Sequence, residues 1–472
     1  MLSLTAVATF LVSLDVSIVV VAKRTIEADL GGGSLITWVF SAYAIAYAAG
    51  LLTAGRFADV YGRKRSFLRG LFIFSVGSLL CGISPTTWVL ILARIIQAMG
   101  GAQLTPASIA LVLPEFPVEK RTQAIAIWGA TGGLAAALGP SVGGILVDLL
   151  GWRSLFFINI PFTVVTILLG RKILHESKDP NAQRQVDYPS VVFGFTGVAL
   201  VVLGISQSEA WGWTDTKTLG SIALGIILVA LFVQRCRVVT SPLLDLKLFR
   251  LPFVLAANLS GLLFSVGFIG MWLLNTFWLQ AVWGYGVAQS GLATMPGPAM
   301  AALVAPFAGK YAHKFGHARI LLAGSIMLSI GTFGLTTFIP IEPSYLTHYL
   351  PWMILTGFGV GLSISTLSSS ATAYLKPTQF AMGSALNTTA RQIGTALGAA
   401  LSLAIAAPAL GRIEAARRAG TSLDLVDVKE MHVAWIMNGF VYLVAGITMI
   451  TIFRKPTEAQ MDDARAAVKF ED

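Results

Sequence analysis

Two ionisable residues stand where an apolar chain should not hold them. Asp15 falls in the apolar stretch 3–22 and Arg94 in the stretch 88–112. A charge in the middle of a bilayer-spanning segment costs about 2.5 kcal/mol or more, so its first reading is functional. Burial disfavours the charged form of a carboxyl, and a neighbouring cation favours it. A carboxyl held between those two pulls can take a proton on one side of a barrier and release it on the other. Asp15 is about seven residues from the far end of its stretch and Arg94 about six from the start of its own. At about 1.5 Å per residue, both then sit about 9–11 Å below the same surface. The competing role is a static ion pair. Arg391 and Asn387 share one helical face at i and i+4 in the stretch 380–406. No acid occupies the middle of an apolar stretch in the second half, so Arg391 either bonds backbone carbonyls or meets an anionic group. Gln97, Asn258 and Asn275 are further polar groups set in apolar stretches, and are candidate cavity residues.

The elements that must carry these residues are long and apolar. The chain has 472 residues, of which 55% are hydrophobic and 12% charged, too little polar surface for a soluble globule. A membrane-spanning helix needs about 20 mostly apolar residues, and fourteen stretches meet that requirement. The fifth covers 121–147 and the thirteenth 380–406; the seventh and eighth, at 189–206 and 217–236, are the least marked. Lys and Arg gather on one side, at 56–69, 171–184 and 235–250. The positive-inside rule therefore expects a cytoplasmic N-terminus, and an even number of spans returns the C-terminus to the same side. The first stretch lacks the basic start and cleavage site of a signal peptide and reads as a spanning helix.

The net charge of +10 does not indicate nucleic acid, because the basic residues lie in short clusters between apolar runs with no basic face. Cys81 and Cys236 fall on opposite sides of the membrane and form neither a disulfide nor a metal site. No nucleotide loop, nucleophile elbow or metal-ligand cluster points to an enzyme or a cofactor.

One pattern occurs twice. Gly55-Arg56-Phe57-Ala58-Asp59-Val60-Tyr61-Gly62-Arg63-Lys64-Arg65 follows the second stretch, and Gly309-Lys310-Tyr311-Ala312-His313-Lys314-Phe315-Gly316-His317-Ala318-Arg319 follows the tenth. A Thr-Gln pair opens the fifth stretch (Thr122, Gln123) and the thirteenth (Thr378, Gln379). The repeat divides the chain into a six-helix bundle (1–172), two additional helices with their loops (173–250), a second six-helix bundle (251–455) and a short tail (456–472). Paired bundles around a midplane cavity are what an alternating-access carrier needs.

These residues resemble the major facilitator superfamily. Gly55 to Arg65 looks like its motif A, Arg94-Ile95-Ile96-Gln97 with Gly100 like motif B, and Gly139-Pro140-Ser141-Val142-Gly143-Gly144 like the antiporter motif C. Leu14-Asp15 with Ile18-Val19, the run Gly151 to Pro161, and Asn387 to Gly394 are similar to signatures of the fourteen-helix drug:proton antiporters. The resemblance implies an all-α membrane protein of two six-helix bundles with two extra central helices. It implies a monomer in the cytoplasmic membrane, bathed in lipid, that exports a small amphipathic compound against protons, with the proton gradient as its energy source.

The resemblance also sets Asp15 beside Arg94 and makes that pair the proton-coupling site. Gly55, Asp59, Gly62, Arg63, Lys64 and Arg65 become a conformational latch. Gly139, Pro140, Gly143 and Gly144 become a kinked, tightly packed bend that seals the cavity against proton leak. Ala98, Ala135 and His313 depart from the family patterns, as does Lys23-Arg24, where Leu-Pro is usual. The alternatives are a lipid or anionic-metabolite carrier of the same fold, or a symporter.

Overall fold

The computed structural model describes residues 1–177, 187–240, 242–372, 374–376, 379–422, 426–455 and 457–458. The side chains of Arg24, Thr122, Pro140 and His313, and Thr378, lie outside the described residues. In hydrocarbon every backbone N–H and C=O needs an internal partner, and a helix satisfies them within one segment. Among the described residues the chain accordingly forms fourteen long helices. They are α1 (Leu2–Val21), α2 (Trp38–Tyr61), α3 (Arg63–Gly82), α4 (Thr87–Val112), α5 (Val118–Leu150), α6 (Asn159–Ile173) and α7 (Tyr188–Trp211). The others are α8 (Thr216–Val238), α9 (Pro252–Phe277), α10 (Pro296–Phe315), α11 (His317–Phe338), α12 (Leu350–Thr372), α13 (Phe380–Ala419) and α14 (Lys429–Ile452). α5, at 33 residues, is about 50 Å long and spans a bilayer with length to spare.

The first six helices and the last six repeat one packing plan. α1 packs on α5, α2 on α4, and α3 on α4 and α6; α9 packs on α13, α10 on α12, and α11 on α12 and α14. The bundles meet through two equivalent contacts, α5 with α10 and α13 with α2. The α7–α8 hairpin leans on α2 and α13 through α7. The fate of each helix follows from its place: 78% of the apolar window of α4 is buried, against 17% for α8. α8 offers Leu219, Leu224, Ile226 and Ile227 outward, the surface lipid requires.

α13 runs thirteen residues past the expected end of its stretch, to Ala419. The residues 407–419 are too polar for lipid, yet they continue the helix beyond it. Gly420 stops it at φ +66, a left-handed cap that a residue with a side chain would resist.

The cores show how the bundles sit. One apolar cluster joins both bundles on the face that carries the basic loops, from Leu52 and Phe67 to Phe380 and Ala385. Toward the opposite face each bundle has a core of its own, around Leu14, Ile18 and Phe156 in the first and Leu274, Trp278 and Trp435 in the second. The bundles are thus fused at the basic face and parted at the other.

Candidate functional site

Asp15 projects from α1 into the first bundle and is fully buried, as are Arg94 and Gln97 of α4, Ser78 of α3 and Asn159 of α6. Arg94 Nη1 donates to Asp15 Oδ2 at 2.5 Å and to Gln97 Oε1 at 2.7 Å. Gln97 Nε2 donates to Asp15 Oδ1 at 2.7 Å and to Ser78 Oγ at 3.2 Å. Asn159 Nδ2 donates to the same Oδ1 at 3.2 Å and to Ser78 Oγ at 3.0 Å. Ser78 Oγ in turn donates a hydrogen bond to the Phe156 carbonyl at 2.8 Å. The Arg94 guanidinium lies 4.0 Å over the Tyr43 ring and 5.8 Å from the Phe156 ring. One carboxylate of α1 therefore accepts from three side chains of two helices, α4 and α6, in a fully buried site.

The two residues matched by depth in the sequence are indeed in contact. Gln97, a candidate for the cavity, belongs to this network. Asn159 and Ser78 were not singled out; the run Gly151 to Pro161 was the signal for Asn159, and Ser78 had none. Trp152 and Arg153 of that run fix it in place, donating to Asp29 at 3.0 and 2.6 Å. These two donors hold the exposed Asp29 carboxyl below its ordinary value.

The opposite side of α1 lines a cavity of about 330 Å³ between the bundles. Ser13, Val16 and Ser17 form one wall; Phe268, Met271, Trp272 and Asn275 of α9 and parts of α10 and α12 form the other. Among the described residues, no ionisable side chain lines it. Among the candidates for the cavity, Asn275 reaches it, while Asn387 and Arg391 of α13 pack on Gly261 of α9, one turn beyond Asn258. There Asn387 Nδ2 donates to the Ala257 carbonyl at 3.3 Å.

The motif C glycines let α1 and α5 touch. A Cβ on Gly139 would stand 1.9 Å from Ser17 Oγ, and one on Gly143 3.1 Å from the Ile18 carbonyl; one on Gly144 would meet nothing within 4 Å. The second bundle repeats the device, with Gly394 against Leu262 and Gly398 against Val266.

At the basic face Gly62 takes φ +108 and turns α2 into α3. Asp59 accepts from Arg63 at 3.2 Å, and Arg63 also donates to the Ala110 carbonyl at 3.4 Å. Glu176, just past α6, accepts from the backbone N–H of Lys64 and Arg65 at 3.1 and 3.2 Å, a carboxylate on the positive end of α3. These bonds lie within the first bundle. Gly55 of motif A reaches the second, its missing Cβ 2.8 Å from that of Ala385 in α13.

The sequence matches the Major Facilitator Superfamily model over residues 5–399 and 276–470. The chain belongs to the Major Facilitator Superfamily. This facilitator is 30% identical to the tetracenomycin C resistance and export protein of Streptomyces glaucescens over 427 residues, 90% of this chain and 79% of that one. It is 32% identical over 397 residues to a multidrug resistance protein B homologue of Mycobacterium tuberculosis, 84% of this chain and 73% of that one. Its shape follows a solved proton:xylose symporter of the superfamily with a TM-score of 0.64, over 95% of this chain and 94% of that one. At 12% identity, that likeness shows the fold alone. The facilitator is a multi-pass membrane protein whose relatives are drug and antibiotic export proteins.

Proposed function

We propose that this facilitator exports amphipathic, drug-like compounds in exchange for protons, by alternating access, as a single chain in the cytoplasmic membrane. The observation that carries the reading is the Asp15–Arg94 pair, buried and shared with Gln97 and Asn159. As a pair it is neutral. A proton on Asp15 leaves Arg94 as an uncompensated buried charge, and losing one partner of a buried pair costs about 3–5 kcal/mol. Protonation therefore favours a different arrangement of α1, α4 and α6, which is what coupling demands.

The parted and fused cores support alternating access. The structure is sealed at the basic face, and by the positive-inside rule that face is cytoplasmic, along with both termini. The cavity then belongs to the outward-facing half of a cycle. Its aromatic and aliphatic walls suit the apolar body of a drug, with Ser13, Ser17 and Asn275 as hydrogen-bonding points.

The test uses purified protein in liposomes with a trapped pH dye. A hydrophobic drug such as ethidium, added under an imposed proton gradient, should provoke proton release that vanishes in Asp15→Asn, while counterflow exchange without a gradient persists. Unchanged drug-dependent proton release in Asp15→Asn would remove Asp15 from the coupling step.

A further inference from the structure

Arg391 is a charge without a counter-ion. The chain has no Asp or Glu from 251 to 341 or from 343 to 413. The buried acids of the first bundle are engaged there, Asp15 by Arg94 and Asp59 by Arg63. Among the described residues, Arg391 Nε is enclosed with no hydrogen-bond partner, and no carboxylate pairs with the guanidinium. The residue as a whole is only partly buried.

Its surroundings are polar and come from both bundles. Gly261 of α9 makes room for it: a Cβ there would lie 3.3 Å from Arg391 Cγ and from Asn387 Nδ2. Asn258, one turn before Gly261, has its side-chain oxygen unpartnered. Tyr47 of α2 feels the charge of Arg391 across the bundle interface, and its hydroxyl is shared with Thr105 at 2.8 Å. Gly261 is seven residues on the basic-face side of Phe268, the α9 residue deepest in the cavity wall. Seven residues are about 10 Å of helix, a gap that the chain joining an apolar body to its charged end would span. Arg391 is therefore packed on α9 about two turns toward the basic face from an apolar cavity that, among the described residues, has no charge of its own.

We infer that Arg391 is an anion-recognising subsite of the transport path. It takes the carboxylate of an organic anion whose apolar body fills the cavity above. A planar guanidinium matches a carboxylate with two parallel bonds, and a buried, unpaired arginine is stabilised by that match. Asn387 and Asn258 flank the subsite from α13 and α9. The inference rests on the reading of this cavity as the transport path.

The experiment separates it from proton coupling. Binding to purified protein in nanodiscs is followed by energy transfer from tryptophan, Trp272 among them, to pyrene. The probes are 1-pyrenebutyrate and 1-pyrenebutanol, which share a body and differ in the carboxylate. The native protein should bind the butyrate about tenfold or more tightly than the alcohol. Arg391→Gln should erase that preference while alcohol binding stays unchanged, which also shows that the variant folds. Arg391→Lys should keep most of it. Equal binding of both probes by the native protein overturns the inference, as does an equal loss of both in Arg391→Gln. Neither result depends on proton movement, so a failed liposome assay with a surviving carboxylate preference would sink the antiport reading and leave the subsite.

Discussion

Asn159→Ala tests whether the carboxylate network supports the coupling step. Asn159 donates to Asp15 Oδ1 at 3.2 Å from a fully buried position. A hydrogen bond to a charged group contributes about 1.5–3 kcal/mol, and each 1.36 kcal/mol is a factor of about ten. Gradient-driven export should therefore fall about ten- to a hundredfold relative to gradient-free counterflow. The assay is dye efflux from proteoliposomes under a fixed proton gradient, normalised to that counterflow. Ser78→Ala is the control. It removes a hydroxyl that accepts from both Asn159 and Gln97 but leaves both donors to Asp15 in place. An unchanged normalised rate in Asn159→Ala refutes the reasoning. So does a loss of equal size in Ser78→Ala, since that would trace the effect to packing.

Motif C holds its own control. Gly139→Ala forces a methyl to within 1.9 Å of Ser17 Oγ and should cost about 1–3 kcal/mol and most of transport, whereas Gly144→Ala, with nothing within 4 Å, should leave both unchanged in thermal unfolding and efflux assays. Gly62→Ala places a side chain at φ +108 and 2.5 Å from Glu176 Oε1; a loss of about 1–3 kcal/mol in detergent unfolding is expected. Glu176→Gln keeps the shape but not the charge at the start of α3, and should cost only about 0.3–1 kcal/mol in the same measurement. The lowered Asp29 contributes stability above its ordinary value of 3.8 and loses it as the pH falls through its folded value. The native protein should accordingly lose melting temperature on acidification below about pH 4 more steeply than Asp29→Asn, and parallel curves would dismiss the contact.

The large features were legible because membrane physics writes them into composition. Long apolar runs, the double occurrence of the Gly55–Arg65 pattern and a lone acid in α1 are each visible without a structure. Matching Asp15 to Arg94 worked because helix rise converts residue counts into depth. Depth says nothing about which way a side chain turns. Gln97 shares the stretch of Arg94 and looked equally able to face the cavity; it is three residues on, and the i, i+3 spacing put it on the same inward face. Asn159 stands in the recognisable run Gly151 to Pro161, but nothing in the sequence says that its side chain turns toward Asp15. The basic cluster Arg63 to Arg65 invites a bridge between bundles; it also meets Asp59 and Glu176 inside its own bundle, and Glu176 was not legible because it lies past the end of a different helix.

What remains is how a proton inside the first bundle affects a cavity between the two. α1 offers the direct route. Asp15 points to one side of it, and Ser13, Val16 and Ser17 to the other. Ser17 is also the residue against which Gly139 packs, so the wall of the cavity is set by how closely α1 lies on α5. With the Arg94–Asp15 bond made, α1 is tied to α4 on one side and seated on the glycines of α5 on the other. Under the proposed antiport, protonation would release only the first tie, leaving the glycine seat to guide any movement of α1 and of the cavity wall it forms. The second bundle has the same glycine seat, Gly394 and Gly398 under α9, but no acid within its apolar spans. The helix pairing is symmetric and the chemistry is not: the proposed proton site belongs to one bundle, and the proposed anion subsite at Arg391 to the other.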